Sequence, residues 1–568
     1  MGIAHHVSIK MKSNKKMDSE SIQNFPTPPD EVPKMYQAQV QGRCSLQYFN
    51  NPSDLFNWTK EWIIPDSHNN QKPYYQHQEP KLGLDGSIYR LKITFPFRVF
   101  SNCGQDSILR PVLGKNGIPF FPGSGIKGLF RQLLDNDQVN SENKEKIEKY
   151  CGSQTQAGTL RFHGAYPIGD WAGTTPPDAN HYSQKNHYKI VDICHPQQGK
   201  QVEKQQGSSA IALISLYKPT LIFELSSTES LSEEEWKRIE GLLKRALRLG
   251  LGGKNSTGYG LCFIPQDKYP IQIRLKGQGV SSLLPSKKPE FRPNIFKATL
   301  RGHVRRLLGG VNSDWGKIEE RINHLFGSTR SPGLLDIYWN SLQEKIDDIG
   351  KEKTPTYEVE GDLYLDIRGG QSNKKIKKDL EFIQQVLRFS LIMGGVGKSW
   401  RRVWHETFYP AYKTRAIGCH WHCLYDEFID IKSREELTEF LNHLYQQCQQ
   451  YLGIQSPQSQ NWREAWHPSR VKVYSQVVQQ SRIIDLFHDN RFKNTKQIGG
   501  RETFKDKKGK EKTTLHVSYV WHRMLPLPEG GYLEIVTLFS HEGNFNDQVR
   551  QNFICELQKR GLTLTWGG

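Results

Sequence analysis

The chain has 568 residues, too many for one small hydrophobic core, and a prior of roughly 150 residues per domain divides it into several packing units. Its 77 Lys and Arg against 59 Asp and Glu leave a formal charge of +18, which favours polyanionic partners, nucleic acid first. No stretch approaches the ~20 apolar residues of a membrane span, the N-terminus lacks the apolar core of a signal peptide, and nine irregularly spaced cysteines fit reduced thiols better than a disulfide framework; a cytoplasmic protein without a membrane partner is expected.

Residues 1–84 read as a polar leader and N-terminal extension. YRLKITFPFRVF (89–100) then alternates apolar and polar residues as a half-buried strand does. GIPFFPGSGIKGLFR (117–131) turns through Pro122, Gly123 and Ser124 into a helix carrying Lys127 and Arg131. A helix start of this kind leaves backbone N–H groups unpaired, and with the helix dipole they favour an anion. KYCGSQTQAGTLRFHGAYP (149–167) is a turn feeding a strand, followed by a long irregular insertion from about 168 to 212 and the strand ISLYKPTLIFEL. Ser232 to Glu235 is a capping box opening a helix with Ile239, Leu242, Leu243, Ala246 and Leu247 on one face. LGLGGKNSTGYG (249–260) ends that helix, and LCFI (261–264) is a last strand. Strand, helix, strand, then strand, helix, strand is the split βαβ plan of a ferredoxin-like, RRM-like α+β domain.

The order recurs downstream. IQIRLKGQGV (271–280) is a strand, and RPNIFKATLRGHVRRLL (292–308) is a helix with Lys297 and Arg301 at the four-residue step of Lys127 and Arg131. LFGSTRSPGLLDIYW (325–339) parallels YCGS followed by AGTLRF. A helix striped by Leu380, Ile383, Leu387 and Leu391 ends in IMGGVGKSWRRVW (392–404), parallel to LGLGGKNSTGYG. Four landmarks in one order indicate an internal duplication: a first domain over 85–268 and a second over 269–568. From about 415 the second carries a C-terminal elaboration with a strand at AIGCHWHCLY, a helix at REELTEFLNHLYQQ, a lysine-rich loop at FKDKKGKEKTT and a hairpin at VSYVWHRMLPLPEGGYLEIVTLF.

In LGGKNSTGYG, Gly252, Gly253, Lys254 and Asn255 let backbone N–H groups and one cation approach a sugar-phosphate chain without Cβ obstruction. The lysine precedes the Ser-Thr pair and the helix precedes the glycines, so this is no Walker loop. Gly394, Gly395 and Lys398 hold the corresponding places in the second domain, followed by Arg401 and Arg402, which can clamp a phosphate.

PFFPGSGIKGLFR and the later LGGKNSTGYG, in this order around a ferredoxin-like plan, resemble the RAMP superfamily of CRISPR-associated proteins, the backbone subunits of type III RNA-guided effectors. The likeness is specific over about 85–265 and looser over 270–415. It implies two tandem RAMP domains, a guide RNA (crRNA) cradled by the glycine-rich loops and by the helices carrying Ser124, Lys127, Arg131, Lys297 and Arg301, and other effector subunits as partners. In members that cut target RNA, a loop before the PGS turn carries an aspartate. Asp106 in NCGQDSILRPVLG falls at the matching place. The resemblance therefore implies an endoribonuclease in antiviral defence, with Asp106 and Mg²⁺ promoting attack of a ribose 2′-OH on the neighbouring phosphate, and a thumb-like hairpin in the insertion 168–212. The second domain offers only Glu290 at that place, so no catalysis is carried over to it.

Three other readings stay open: a purely structural guide-binding subunit, a metal-independent ribonuclease that processes guide precursors with a histidine base, and a stand-alone RNA-binding protein. Zinc is a weaker alternative. In CHWHC, Cys419, Trp421 and Cys423 face one way along a strand and His420 and His422 the other. His181, His187, Cys194 and His195 would gather round an ion only if the insertion folds back.

Overall fold

The computed structural model describes residues 79–568 except 102, 106–107, 111, 113, 115–118, 136–138, 174–188, 195–210, 256–257, 263–268, 286–287, 329–330, 332, 348–354, 369–371, 398–418, 494, 496, 506–510, 517 and 541–546. The leader, Asp106, Lys398, Arg401, Arg402, His181, His187 and His195 lie outside the described residues.

The first sheet begins with a hairpin. β1 (Gly83–Asp85) and β2 (Ile88–Thr94) meet across a tight turn in which Gly86 has φ +61°. Pro96 ends the strand short of the predicted 89–100, because proline cannot donate to a sheet ladder; Val99 and Phe100 instead form single bridges to Leu216 and Gly253. β3 (Phe121–Pro122) leads into α1 (Gly123–Gln132), then α2 (Ser141–Cys151), β4 (Leu160–Ile168), β5 (Thr220–Ser227) and α3 (Glu233–Leu247). The strand order is β1-β2-β5-β4-β3, all antiparallel. The capping box holds: Ser232 accepts from the Glu235 N–H at 3.2 Å, and the predicted apolar stripe of α3 is buried.

Over the described residues of this half the last strand departs from expectation. Leu261 and Cys262 are not in a strand, and the edge beside β2, where a ferredoxin-like fold puts its last strand, is taken by β1. The reason is local: Gly260 donates to Arg98 O (2.8 Å) and accepts from Leu251 N (2.8 Å), which ties the loop exit to residues 98–101. Within the insertion, where the resemblance implies a thumb-like hairpin, two short strands pair. Val191–Cys194 pairs with Ile211–Ile214, and Trp171, Ala172, Ile190 and Val191 enter the core.

The second half completes the plan. β6 (Ile271–Val280), α4 (Asn294–Gly309), α5 (Trp315–Phe326), β7 (Leu335–Asp347), β8 (Thr356–Ile367), α6 (Asn373–Phe389) and β9 (His420–Cys423) give an antiparallel sheet in the order β7-β8-β6-β9. Its fourth strand is HWHC itself. Trp421 lies in the core against Phe296 and Trp339, while His420 and His422 pack ring to ring at 4.3 Å.

After α7 (Arg434–Leu452), the elaboration builds a third sheet from β10 (Val471–Val478), β11 (Val520–Pro526), β12 (Tyr532–Phe539) and β13 (Thr563–Trp566), with α8 (Gln548–Lys559) between the last two strands in sequence. Its order, β11-β12-β10-β13, is again the ferredoxin one. Where that plan has its first helix, the chain makes a 3₁₀ turn (Ile484–Phe487) and a hairpin of Gly500–Lys505 with Glu511–His516, so the flanks of the lysine-rich segment are strands rather than loop. Trp466, stacked at 5.8 Å on Trp521 and 5.5 Å on Trp566, continues the second core into this sheet.

Candidate nucleic-acid groove

A groove of about 820 Å³ runs between the first two halves. One wall is the start of α1 and the first glycine-rich loop; the other is the start of α4, Ser328, Ser331 and Gly333, and the start of β7.

Helix α1 begins at Pro122, with no side-chain cap among the described residues and no acid in its first turn. Helix α4 begins at Pro293 in the same way. In contrast, Asn140, Ser232, Asp314, Ser433 and Asp547 cap α2, α3, α5, α7 and α8; α6 starts at Ser372 without such a bond, away from the groove. Two helix starts without a side-chain cap therefore border one cleft with their positive dipole ends, although in α4 the Ile295 and Phe296 N–H groups already donate to Arg292 O (3.1 Å) and Pro293 O (3.2 Å).

Gly123 is fixed by packing, since a Cβ there would meet Phe162 O at 1.7 Å; Gly125 and Gly128 face open space on the groove side. The loop is shaped by Gly250, Gly252, Lys254 and Gly258, all at positive φ. Asn255 Nδ2 donates to Gly250 O at 2.8 Å, closing the loop on itself, and Gly253 N donates to Phe100 O at 2.7 Å. A Cβ on Gly258 would lie 3.3 Å from Asn294 Cβ, so the loop abuts the start of α4 directly.

Among the predicted site residues, Ser124, Gly252, Lys254, Asn255 and Lys297 line this groove, with Gly253 beside them in the loop. The other described ones do not line it. Lys127 and Arg131 leave the groove wall to Gly125, Gly128, Leu129 and Gln132, and their charges reach the Cys151 thiol instead. Arg301 donates to Gly327 O (2.9 Å) and Asn323 Oδ1 (3.3 Å), which holds α5 to α4. Gly394 and Gly395 are buried, the latter beside the Arg523 guanidinium, and neither borders the groove.

The groove floor carries charges of both signs. Arg368 pairs with Asp336 at 2.7 Å, and Lys218 with Glu344 at 3.3 Å. Burial lowers the Lys297 ammonium to about 8, Asp336 opposing and Arg368 and Arg301 reinforcing the shift. Sequence reading missed Asp336 and Arg368, whose only signal was a charged residue at each end of an apolar strand pair.

Beneath the groove lies a buried ionic network joining the halves. Arg98 and Asp192 come from the first, Glu290 and Arg292 from the second, and all four are buried. Glu290, the acid noted beside the second helix, is thus a structural partner of Arg98. Among the described residues no three His, Cys, Asp or Glu side chains gather as a metal-binding group; Arg523 donates to His420 Nδ1 at 2.6 Å, and burial keeps that imidazole neutral. No described helix is long and apolar enough to cross a membrane.

Residues 106–262 match the profile of the RAMP superfamily. Similar solved structures include apo Cmr1 from Pyrococcus furiosus (17% identity over 52% of this chain and 98% of that one, TM-score 0.33) and Cmr6 from Pyrococcus furiosus (18%, 32% and 100%, TM-score 0.19). A chain of the type III-B Cmr-beta complex bound to cognate target RNA is 22% identical over 31% of this chain and 57% of that one, with a TM-score of 0.23. No curated protein matches the chain.

Proposed function

With a RAMP-superfamily domain over residues 106–262 as the premise, we propose that the protein is an RNA-binding subunit of a type III CRISPR effector, holding guide RNA in the groove between its first two halves. One observation carries this reading: the uncapped starts of α1 and α4 and the first glycine-rich loop all open onto the same cleft. Backbone N–H groups and the Lys254 and Lys297 ammonium groups bind phosphates without reading bases, which leaves the message to base pairing with target RNA. The net charge of +18 supplies the long-range attraction. Other subunits of the effector complete the ribonucleoprotein.

Cleavage of target RNA belongs to the same proposal. Asp106 is its candidate residue, and Mg²⁺ is the ion such chemistry would use. Binding is tested by the salt dependence of affinity for single-stranded RNA. Lys254→Gln with Lys297→Gln should flatten the log–log slope by about 0.7 for each phosphate that is no longer neutralised. An unchanged slope removes both lysines, and the groove, from the RNA path.

A further inference from the structure

Asp192 stands at the base of the insertion and is fully buried. Its Oδ2 accepts from Tyr259 Oη (2.5 Å) and Ser215 Oγ (3.1 Å); its Oδ1 accepts from Arg292 Nη2 (2.5 Å) and Ile193 N (2.6 Å). Arg98 Nε lies 3.9 Å away. These donors come from three places. Tyr259 belongs to the glycine-rich loop, between the glycine that abuts Asn294 and the one tied to Arg98 O. Arg292 immediately precedes Pro293, the uncapped start of α4, and its Nη1 also donates to Ile193 O at 2.8 Å. Ser215 follows the second strand of the insertion hairpin.

Stability alone does not call for such a network, because well-packed apolar residues often replace a buried ion pair without loss. What four directed bonds supply is position. A carboxylate accepting from both the loop and the helix start fixes the distance between them, and that distance is the spacing of two anion seats.

We propose that Asp192 is a positioning residue for RNA binding: it locks the first glycine-rich loop to the start of α4, so that both seats grip successive phosphates of one strand. This rests on the groove reading above. Two seats at fixed spacing act as a bivalent binder, and letting them drift lowers the effective concentration of the second.

The test uses the full chain and a fluorescein-labelled single-stranded oligoribonucleotide. Tyr259→Phe removes one oxygen from Asp192 and leaves the ring against Phe97. It should weaken binding about tenfold, and in that background Lys254→Gln should add less than twofold although it costs about tenfold alone, the pattern expected when the second seat no longer engages with the first. A role in folding alone would not abolish that coupling. Asp192→Asn should reproduce the effect; should it fail to fold, Tyr259→Phe decides. Wild-type affinity in Tyr259→Phe, with Lys254→Gln costing the same factor in both backgrounds, overturns the positioning role and leaves the groove intact. Wild-type affinity in both Lys254→Gln and Lys297→Gln overturns the groove reading and this inference with it.

Discussion

The Arg98 guanidinium lies along the Glu290 carboxylate, Nε to Oε1 at 2.9 Å and Nη2 to Oε2 at 2.5 Å, across the boundary between the first two halves. Both residues are withdrawn from water, and Arg98 Nη1 donates further to Ser215 Oγ at 2.9 Å. With Asp192 and Arg292 the cluster holds two charges of each sign, so removing any single member leaves an uncompensated charge in the interior.

Glu290→Ala is therefore expected to cost about 3–5 kcal/mol of stability, because it strands a buried guanidinium instead of merely deleting a neighbour. Urea unfolding of the full chain measures this. Replacing Arg98 and Glu290 together with apolar residues should recover much of the loss, and a single variant that unfolds with the wild-type midpoint would contradict the account.

Most of the elements in the second half were legible because their periodicity is strong. IQIRLKGQGV is a strand over the whole predicted length, and the Ile383 and Leu387 stripe lies in the core. The first half misled where a special backbone overrode pattern: Pro96 ends the first strand, and Gly260 at φ +66° turns the chain just before Leu261 and Cys262, neither of which is in a strand. Of the site, the glycine-rich loop could be read from composition, since glycine adopts such turns and close approaches at the least cost. The partners of Arg98 could not. They lie 94 and 192 residues away in sequence, and no local rule brings them together. Lys127 and Lys297 part company because Lys127 is the fifth residue of α1 and Lys297 the fourth of α4, about 100° apart around a helix, so that Ile126 rather than Lys127 takes the groove-lining place of Lys297.

The three glycines at the start of α1 separate folding from binding. Gly123→Ala places a methyl group 1.7 Å from the Phe162 carbonyl oxygen, a backbone atom that cannot yield without displacing β4, and should destabilise by about 1–3 kcal/mol or more. Gly125→Ala and Gly128→Ala meet nothing within 4 Å and should hold or raise stability by about 0.5–1 kcal/mol through helix propensity. Thermal melts check both directions. If RNA approaches this backbone, Gly125→Ala should nevertheless weaken binding, and equal affinity would place the strand elsewhere.

For cleavage, Asp106→Ala in the assembled effector should abolish cutting of guide-complementary RNA while guide binding persists. EDTA should have the same effect. Cutting that survives EDTA but is lost on replacing a histidine would transfer the chemistry to a metal-independent base, and cutting unaffected by Asp106→Ala would leave the chain a structural subunit.

Lys297 gives the groove a pH dependence with two opposite signs. Burial lowers its ammonium from the usual value near 10.5 to about 8, so the free groove loses this charge as pH rises through 8. A bound phosphodiester stays ionised throughout and favours the ammonium form. The lysine's contribution to RNA affinity is therefore full below about pH 8 and falls as the pH rises above it. Folding of the free protein moves the other way: between the folded and unfolded values the unfolded chain binds more protons, so stability rises with pH across that window. Lys297→Arg, whose guanidinium does not titrate there, should flatten the affinity profile. Fluorescence anisotropy at constant ionic strength checks this, and a wild-type profile superimposable on that of Lys297→Arg would remove Lys297 from the set of phosphate ligands.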